Sequence, residues 1–332
     1  MLASLLAFGI VAASGPFDYP VARKGDVVED HFGTKIADPY RWMEDVDAPE
    51  VKSWVEAENK LTFDYLRAIP QWKAIRSRLG ELLVYERVSA PTKRGPYSFF
   101  TRFDGVRNQA VWYVKEGNKE RVLLDPNTLR ADGTASVNTE AASLDGRYWA
   151  YALSFGGSDW MEWHIIDVKT GKELPEVLKW AKFSGAGWAK DGSGFFYGRY
   201  DTPADGVGLR AKNTDQKVFF HKVGTDQAQD KLMYERPQQP EWYFGVDCTE
   251  DGKYEILGTS ESSSPRNYIA YRPAGRTGSF TELPGKAECS YSLLGNDGPV
   301  FYVLTNQDAG RNKIVSIDIR KPDFENWKVI VP

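Results

Sequence analysis

The segment Asp145-Gly146-Arg147-Tyr148 places a tight turn just ahead of an aromatic residue, and the pairing returns along the chain. Its other occurrences are Gly95-Pro96-Tyr97, Asp191-Gly192-Ser193-Gly194-Phe195, Asp251-Gly252-Lys253-Tyr254 and Asp297-Gly298-Pro299-Val300-Phe301. Asp-Gly is a turn dipeptide because glycine tolerates positive φ. The five glycines are 51, 46, 60 and 46 residues apart. Each turn leads into an apolar strand, a polar loop and a second alternating strand. Those second strands are expected near Val111–Val114, Ile165–Val168, Val218–Val223, Tyr268–Tyr271 and Ile314–Ile319. A period near 50 residues with about four strands per unit is the signature of propeller blades. One blade cannot cover both of its faces, and a neighbouring blade covers what it leaves open. A β-sandwich with the same spacing is the plainer alternative.

The expected fold is therefore mainly β, with about five propeller blades over residues 85–332 and a helical arm over 16–84. The arm begins as an extended, proline-containing stretch. A helix is expected from Asp47 as cap, with Pro49 and Glu50 in its first turn and Pro70 as its stop. Val51, Trp54, Val55, Leu61, Tyr65 and Leu66 recur along it at helical spacing, and Trp72, Ile75, Leu79, Leu82 and Leu83 mark a second helix. Such aromatic stripes ordinarily mean packing.

The first fifteen residues differ from the rest. Leu2 to Ala13 is nearly all apolar, and Ala12-Ala13-Ser14 before Gly15 looks like a small-residue cleavage site. No Lys or Arg precedes Arg23, so a charged n-region is missing. The run is too short to span a membrane. If 1–15 is a signal peptide, the protein is periplasmic or secreted; otherwise it is cytoplasmic.

Aromatic residues make up 14% of the 332, which suits pleated, half-buried surfaces. Forty-two basic and 46 acidic residues give a net charge of −4 with no basic run, so nothing favours a nucleic-acid partner. Two cysteines, Cys248 and Cys289, do not make a disulfide framework. Three histidines without CxxC or HExxH give no basis for a metal site, and no cofactor is expected. No G-x-S-x-G elbow is present. Gly156-Gly157-Ser158-Asp159-Trp160 comes nearest, but Trp160 stands in place of the last Gly, and the segment reads as a loop between strands. Glu44, Asp45 and Asp47 read as a solvated helix start.

Several stretches resemble the prolyl oligopeptidase family of serine peptidases. Ala37-Asp38-Pro39-Tyr40-Arg41-Trp42-Met43-Glu44-Asp45 is similar to that family's DPYxWLED, and Trp54-Val55-Glu56-Ala57-Glu58-Asn59-Lys60 to its first helix. Leu124-Asp125-Pro126-Asn127, Gly157-Ser158-Asp159-Trp160, Glu173-Leu174-Pro175, Lys182-Phe183-Ser184 and Gly224-Thr225-Asp226-Gln227 follow in order. The resemblance implies a seven-bladed propeller that covers an α/β-hydrolase domain and restricts access to short peptides cut after proline. The family's Ser, Asp and His lie in the hydrolase portion, so this chain resembles the first half of such an enzyme. By itself it is expected to be inactive, with no catalytic residue of its own. Its implied partners are short peptides and a C-terminal hydrolase domain.

Phe183, in Lys-Phe-Ser, matches a family residue that lines the substrate pocket. By position along the blades, Tyr243 stands where the family has Met and Ser263 where it has Cys, changes that make the wall more polar. The alternatives are a standalone propeller that binds peptide or protein, and a fragment of an oligopeptidase B-type sibling that cuts after basic residues.

Overall fold

The computed structural model describes residues 17–203, 212–261, 264–276, 278–286 and 288–332. The apolar stretch 1–15 lies outside them. The chain divides into two compact units, with the boundary between Val84 and Tyr85.

In the first unit, a short hairpin (Val28–His31 with Thr34–Ala37) precedes a 3-10 turn and two helices, α1 (Pro49–Ala68) and α2 (Trp72–Leu83). Ala48, not Asp47, is the N-cap of α1, and no side chain caps it. Asp47 instead pairs with Lys52 at 3.2 Å. Pro49 at the first helical position suffices to start the helix, because its missing N–H needs no partner there. Trp42 joins the extended stretch to α1: its indole N–H donates to the Arg23 carbonyl at 2.8 Å, and its ring meets Trp54 edge-on at 6.5 Å. Arg23 closes the same corner with a bidentate pair to Glu50. On α1, Val51 is buried, Trp54 and Leu61 are half-buried, and Val55 is exposed. The uncovered apolar stripe belongs to α2, where Ile75, Leu79, Leu82 and Leu83 are each at least half exposed.

The second unit is a partial propeller of five antiparallel blades. In the first blade, Tyr97–Phe103, Val111–Glu116 and Lys119–Leu124 follow an inner strand split into Arg87–Val88 and Thr92–Arg94. Pro91, which has no N–H to give a ladder, sits in the split. The inner strands of the other blades are Ala135–Ala142, Leu178–Trp188, Trp242–Cys248 and Tyr291–Asp297. The five repeat glycines all lie between the first and second strands of their blades, with φ between 53° and 76°.

Two of these turns are built identically. Asp145 Oδ1 accepts from Arg147 N and the Ser143 hydroxyl, while Ser143 Oγ accepts from Tyr148 N. Asp251, Lys253, Thr249 and Tyr254 repeat the arrangement in the fourth blade. The turns also crowd one another. A Cβ on Gly146 would collide with the Arg94 carbonyl, and one on Gly95 with the Asp145 carbonyl, so only glycine lets the first two blades approach.

Among the described residues, four buried clusters hold the blades together, each joining one blade to the next. Phe99 and Val114 pack on Trp149 and Tyr151; Trp163 and Ile165 on Trp188 and Phe195; Phe196 and Val218 on Phe244 and Leu257; Ile256 and Ile269 on Phe301 and Val315. The aromatic composition is spent here. Each such side chain contributes about 1.5–3 kcal/mol by leaving water. The inner strands surround a cavity of about 540 Å³ lined by Arg94, Ala142, Gly187, Val246 and Leu293 among others. Each inner strand therefore has a turn end and an opposite end, and the opposite end carries the candidate site.

Candidate functional site: an aromatic patch on the propeller rim

Strand Leu178–Trp188 changes partners along its length. Its start pairs with the second blade (Trp163 opposite Leu178, Met161 opposite Ala181), and its end with the third (Ala186 opposite Tyr197, Trp188 opposite Phe195). The register breaks between Ala181 and Ala186. The chain makes the crossing through two aromatic residues in left-handed backbone, Trp180 (φ 64°) and Phe183 (φ 52°). Asp215 (φ 63°) adjoins the same corner, so three of the six such non-glycine residues described gather there. Each costs about 1–3 kcal/mol, and strain of this kind concentrates where a side chain must be aimed.

What the strain aims is Phe183. Phe183 is 45% exposed, and its ring lies 5.2 Å from that of Tyr243, at the start of the fourth blade's inner strand. The clamp between them is Gln216, which is 1% exposed. Its amide N–H donates to the Lys182 carbonyl at 2.8 Å, and its carbonyl accepts from Phe244 N at 2.6 Å. The two backbone groups it bridges are each one residue away from the paired rings. Gly198 leaves the space that the Gln216 amide fills. Ser184 Oγ accepts from Gly198 N at 2.6 Å and fixes the crossing from the other side.

Trp160 extends the patch. It meets Trp180 and Tyr200 edge-on at 5.6 and 5.8 Å. The Lys182 ammonium sits 4.9 Å from the Trp160 ring centre and 5.3 Å from that of Phe183, with Asp159 at 3.8 Å. With its side chain only 11% exposed, Lys182 is partly desolvated, and the rings stabilise its charge there. The Tyr200 hydroxyl is buried without a hydrogen-bond partner among the described residues, and burial, then Tyr243, pushes its ionisation up. It stays a neutral O–H donor. The patch thus offers the apolar faces of Phe183 and Tyr243 beside a lysine–aspartate pair, which suits holding a peptide.

Of the three residues singled out from sequence, Phe183 and Tyr243 meet on this rim. Ser263 lies outside the described residues; Tyr243 itself stands opposite Ser260 on the neighbouring strand. Gln216, Trp180, Lys182 and Tyr200 were not singled out. Among the described residues no histidine meets a nucleophile. His31 pairs with Glu29, His164 with Glu173, and His221 with Asp230. The Ser158 hydroxyl accepts from Trp160 N at 3.1 Å and so serves its own turn. Cys248 and Cys289 are free thiols.

Residues 19–332 match the family described as prolyl oligopeptidase, N-terminal beta-propeller domain. The chain belongs to the prolyl oligopeptidase family. It is 36% identical over 328 residues to a prolyl endopeptidase of Elizabethkingia meningoseptica, covering 98% of this chain and 46% of that one. It is 30% identical to prolyl oligopeptidase A of Amanita bisporigera, with 96% and 46% covered. A solved prolyl endopeptidase superposes on 95% of this chain and 46% of its own, with a TM-score of 0.81 and 31% identity. Prolyl oligopeptidase B of Galerina marginata, solved with a 35mer hydrolysis and macrocyclization substrate, gives 0.78 and 28%, over 95% and 48%. The chain spans about half the length of these relatives, and the shared half is the prolyl oligopeptidase propeller.

Proposed function

We propose that this chain is the arm and gating propeller of a serine endopeptidase that hydrolyses short proline-containing peptides. The Phe183–Tyr243 rim patch forms the wall that holds the peptide beyond the proline. The observation that carries this is the Gln216 clamp: a buried amide and left-handed backbone bring exposed Phe183 and half-buried Tyr243, from different blades, to 5.2 Å. Packing alone gives no reason to strain Phe183 outward. The names of the relatives favour proline over a basic residue as the recognised group. Bond cleavage through an acyl-enzyme falls, in this reading, to a Ser–His–Asp hydrolase portion and not to the propeller. By itself the chain is then a peptide-binding surface without turnover.

Tryptophan fluorescence tests the reading, because Trp160 and Trp180 are part of the patch. A short proline-containing peptide is expected to produce a saturable change, and its proline-to-alanine analogue a weaker one. Phe183→Ala is expected to weaken binding by about tenfold, the size of an aromatic anchor's contribution. Equal response to both peptides, or unchanged affinity in F183A, contradicts the proposal.

A further inference from the structure

On the turn side of the propeller, the packing between the third and fourth blades opens into a groove of about 570 Å³. It is a separate place from the aromatic patch. Tyr243 and Cys248 stand five residues apart on one inner strand, roughly 16 Å at 3.3 Å per residue. Cys248 lines the groove.

The floor is apolar. Phe196, Phe220 and Met233 continue outward from the buried cluster of Val218, Phe244 and Leu257, with the two phenylalanine rings 5.0 Å apart. Cys248 keeps its proton, since burial, then Glu255, pushes its thiol up to about 11. Glu255 also reaches the groove, but both its oxygens are occupied. Arg272 Nε donates to one at 2.6 Å, and Gly275 N to the other at 2.9 Å.

The mouth is cationic. Lys190, Lys231 and Arg276 line it against a single carboxylate, Asp191, which Ser193 holds in its charged form by hydrogen bonds. Lys190 lays its methylenes over Gly252 and donates its ammonium to the Asp251 carbonyl, so its stem adds apolar wall. Among the described residues no carboxylate lies within 4 Å of Lys231 or Arg276. An apolar cleft of this size with a few convergent charges is what small-molecule sites look like.

We propose that this groove binds a small anionic amphiphile of the medium-chain carboxylate class. The tail lies on Phe196, Phe220 and Met233, and the carboxylate faces Lys231 and Arg276. The sign of the rim disfavours a cationic amphiphile, and the apolar floor of Phe196, Phe220 and Met233 leaves no partner for a second ionic group on the tail.

The probes are octanoate, octylamine and octanol, titrated into the full chain by calorimetry. Octanoate is expected to bind at one saturable site. Octylamine should bind about tenfold more weakly, from loss of charge-assisted contacts and gain of repulsion. The double variant K231E/R276E changes two exposed side chains, so it should fold, and it is expected to reverse that order. Met233→Glu is expected to abolish octanoate binding, and Phe183→Ala, on the other rim, to leave it unchanged. If the three probes bind alike in the unaltered chain, adsorption to exposed apolar surface such as the α2 stripe explains them, and the proposal is wrong. Unchanged octanoate affinity in K231E/R276E overturns it as well.

Discussion

Removing the Gln216 amide separates stability from aim at the scale of one residue. Gln216→Leu leaves the Lys182 carbonyl and the Phe244 N–H without their partner in a buried setting. Two unsatisfied groups cost roughly 2–6 kcal/mol together. Gln216→Glu keeps an acceptor for Phe244 N–H but sets a buried carboxylate against the Lys182 carbonyl. Near neutral pH it is therefore expected to be at least as destabilising as Leu, and to recover at low pH, where the protonated carboxyl donates to that carbonyl again. Denaturant unfolding measures this, and a Leu variant as stable as the unaltered chain would show that the clamp carries nothing. Phe183 was legible beforehand because Lys-Phe-Ser carried a resemblance. Gln216 was not: a single glutamine in a polar loop has no period and no motif, and only the third dimension shows that it is buried between two blades. The same holds for Lys182, whose closeness to Trp160 spans a change of blade.

Turns and strands are the elements in which the sequence spoke most clearly. The glycine-turn period, Asp-Gly in four of the five, gave five hairpins because turn chemistry is local: positive φ at glycine and, at Asp145 and Asp251, an Asp oxygen for a following backbone N–H. Gly146→Ala and Gly156→Ala both place a Cβ at positive φ, yet only the first also meets neighbouring backbone; nothing lies within 4 Å of a Cβ on Gly156. We expect G146A to be less stable than G156A by about 1–3 kcal/mol, the usual cost of overpacking. Equal melting of the two variants would mean that the turns do not seat the first two blades on each other. Strand 178–188 was not legible as a crossing, since its residues alternate like any strand while its partners change midway. Helical periodicity located α1 and α2, but which stripe is covered is a tertiary matter. Val51 on α1 turned out buried, while Ile75, Leu79, Leu82 and Leu83 on α2 stand open.

The whole molecule follows from the repeat. Five units of about four strands pack through four aromatic-rich clusters among the described residues, each formed between successive blades. That arrangement sets all turn hairpins at one rim and brings Phe183 and Tyr243 together at the other, although 60 residues separate them in the chain. The number of blades was readable from spacing alone, whereas the use of the rim depends on side chains that converge only after the blades stack. The most direct test is therefore spatial. A proline-containing peptide carrying a photoreactive benzoylphenylalanine is bound to the chain, irradiated, and its adducts are mapped by mass spectrometry. Adducts are expected on the rim around Trp160, Lys182, Phe183 and Tyr243, and they should disappear when unlabelled peptide competes. Adducts confined to the Asp-Gly turn rim or to α2, or adducts that unlabelled peptide does not remove, would contradict the assignment of the aromatic patch as the peptide wall.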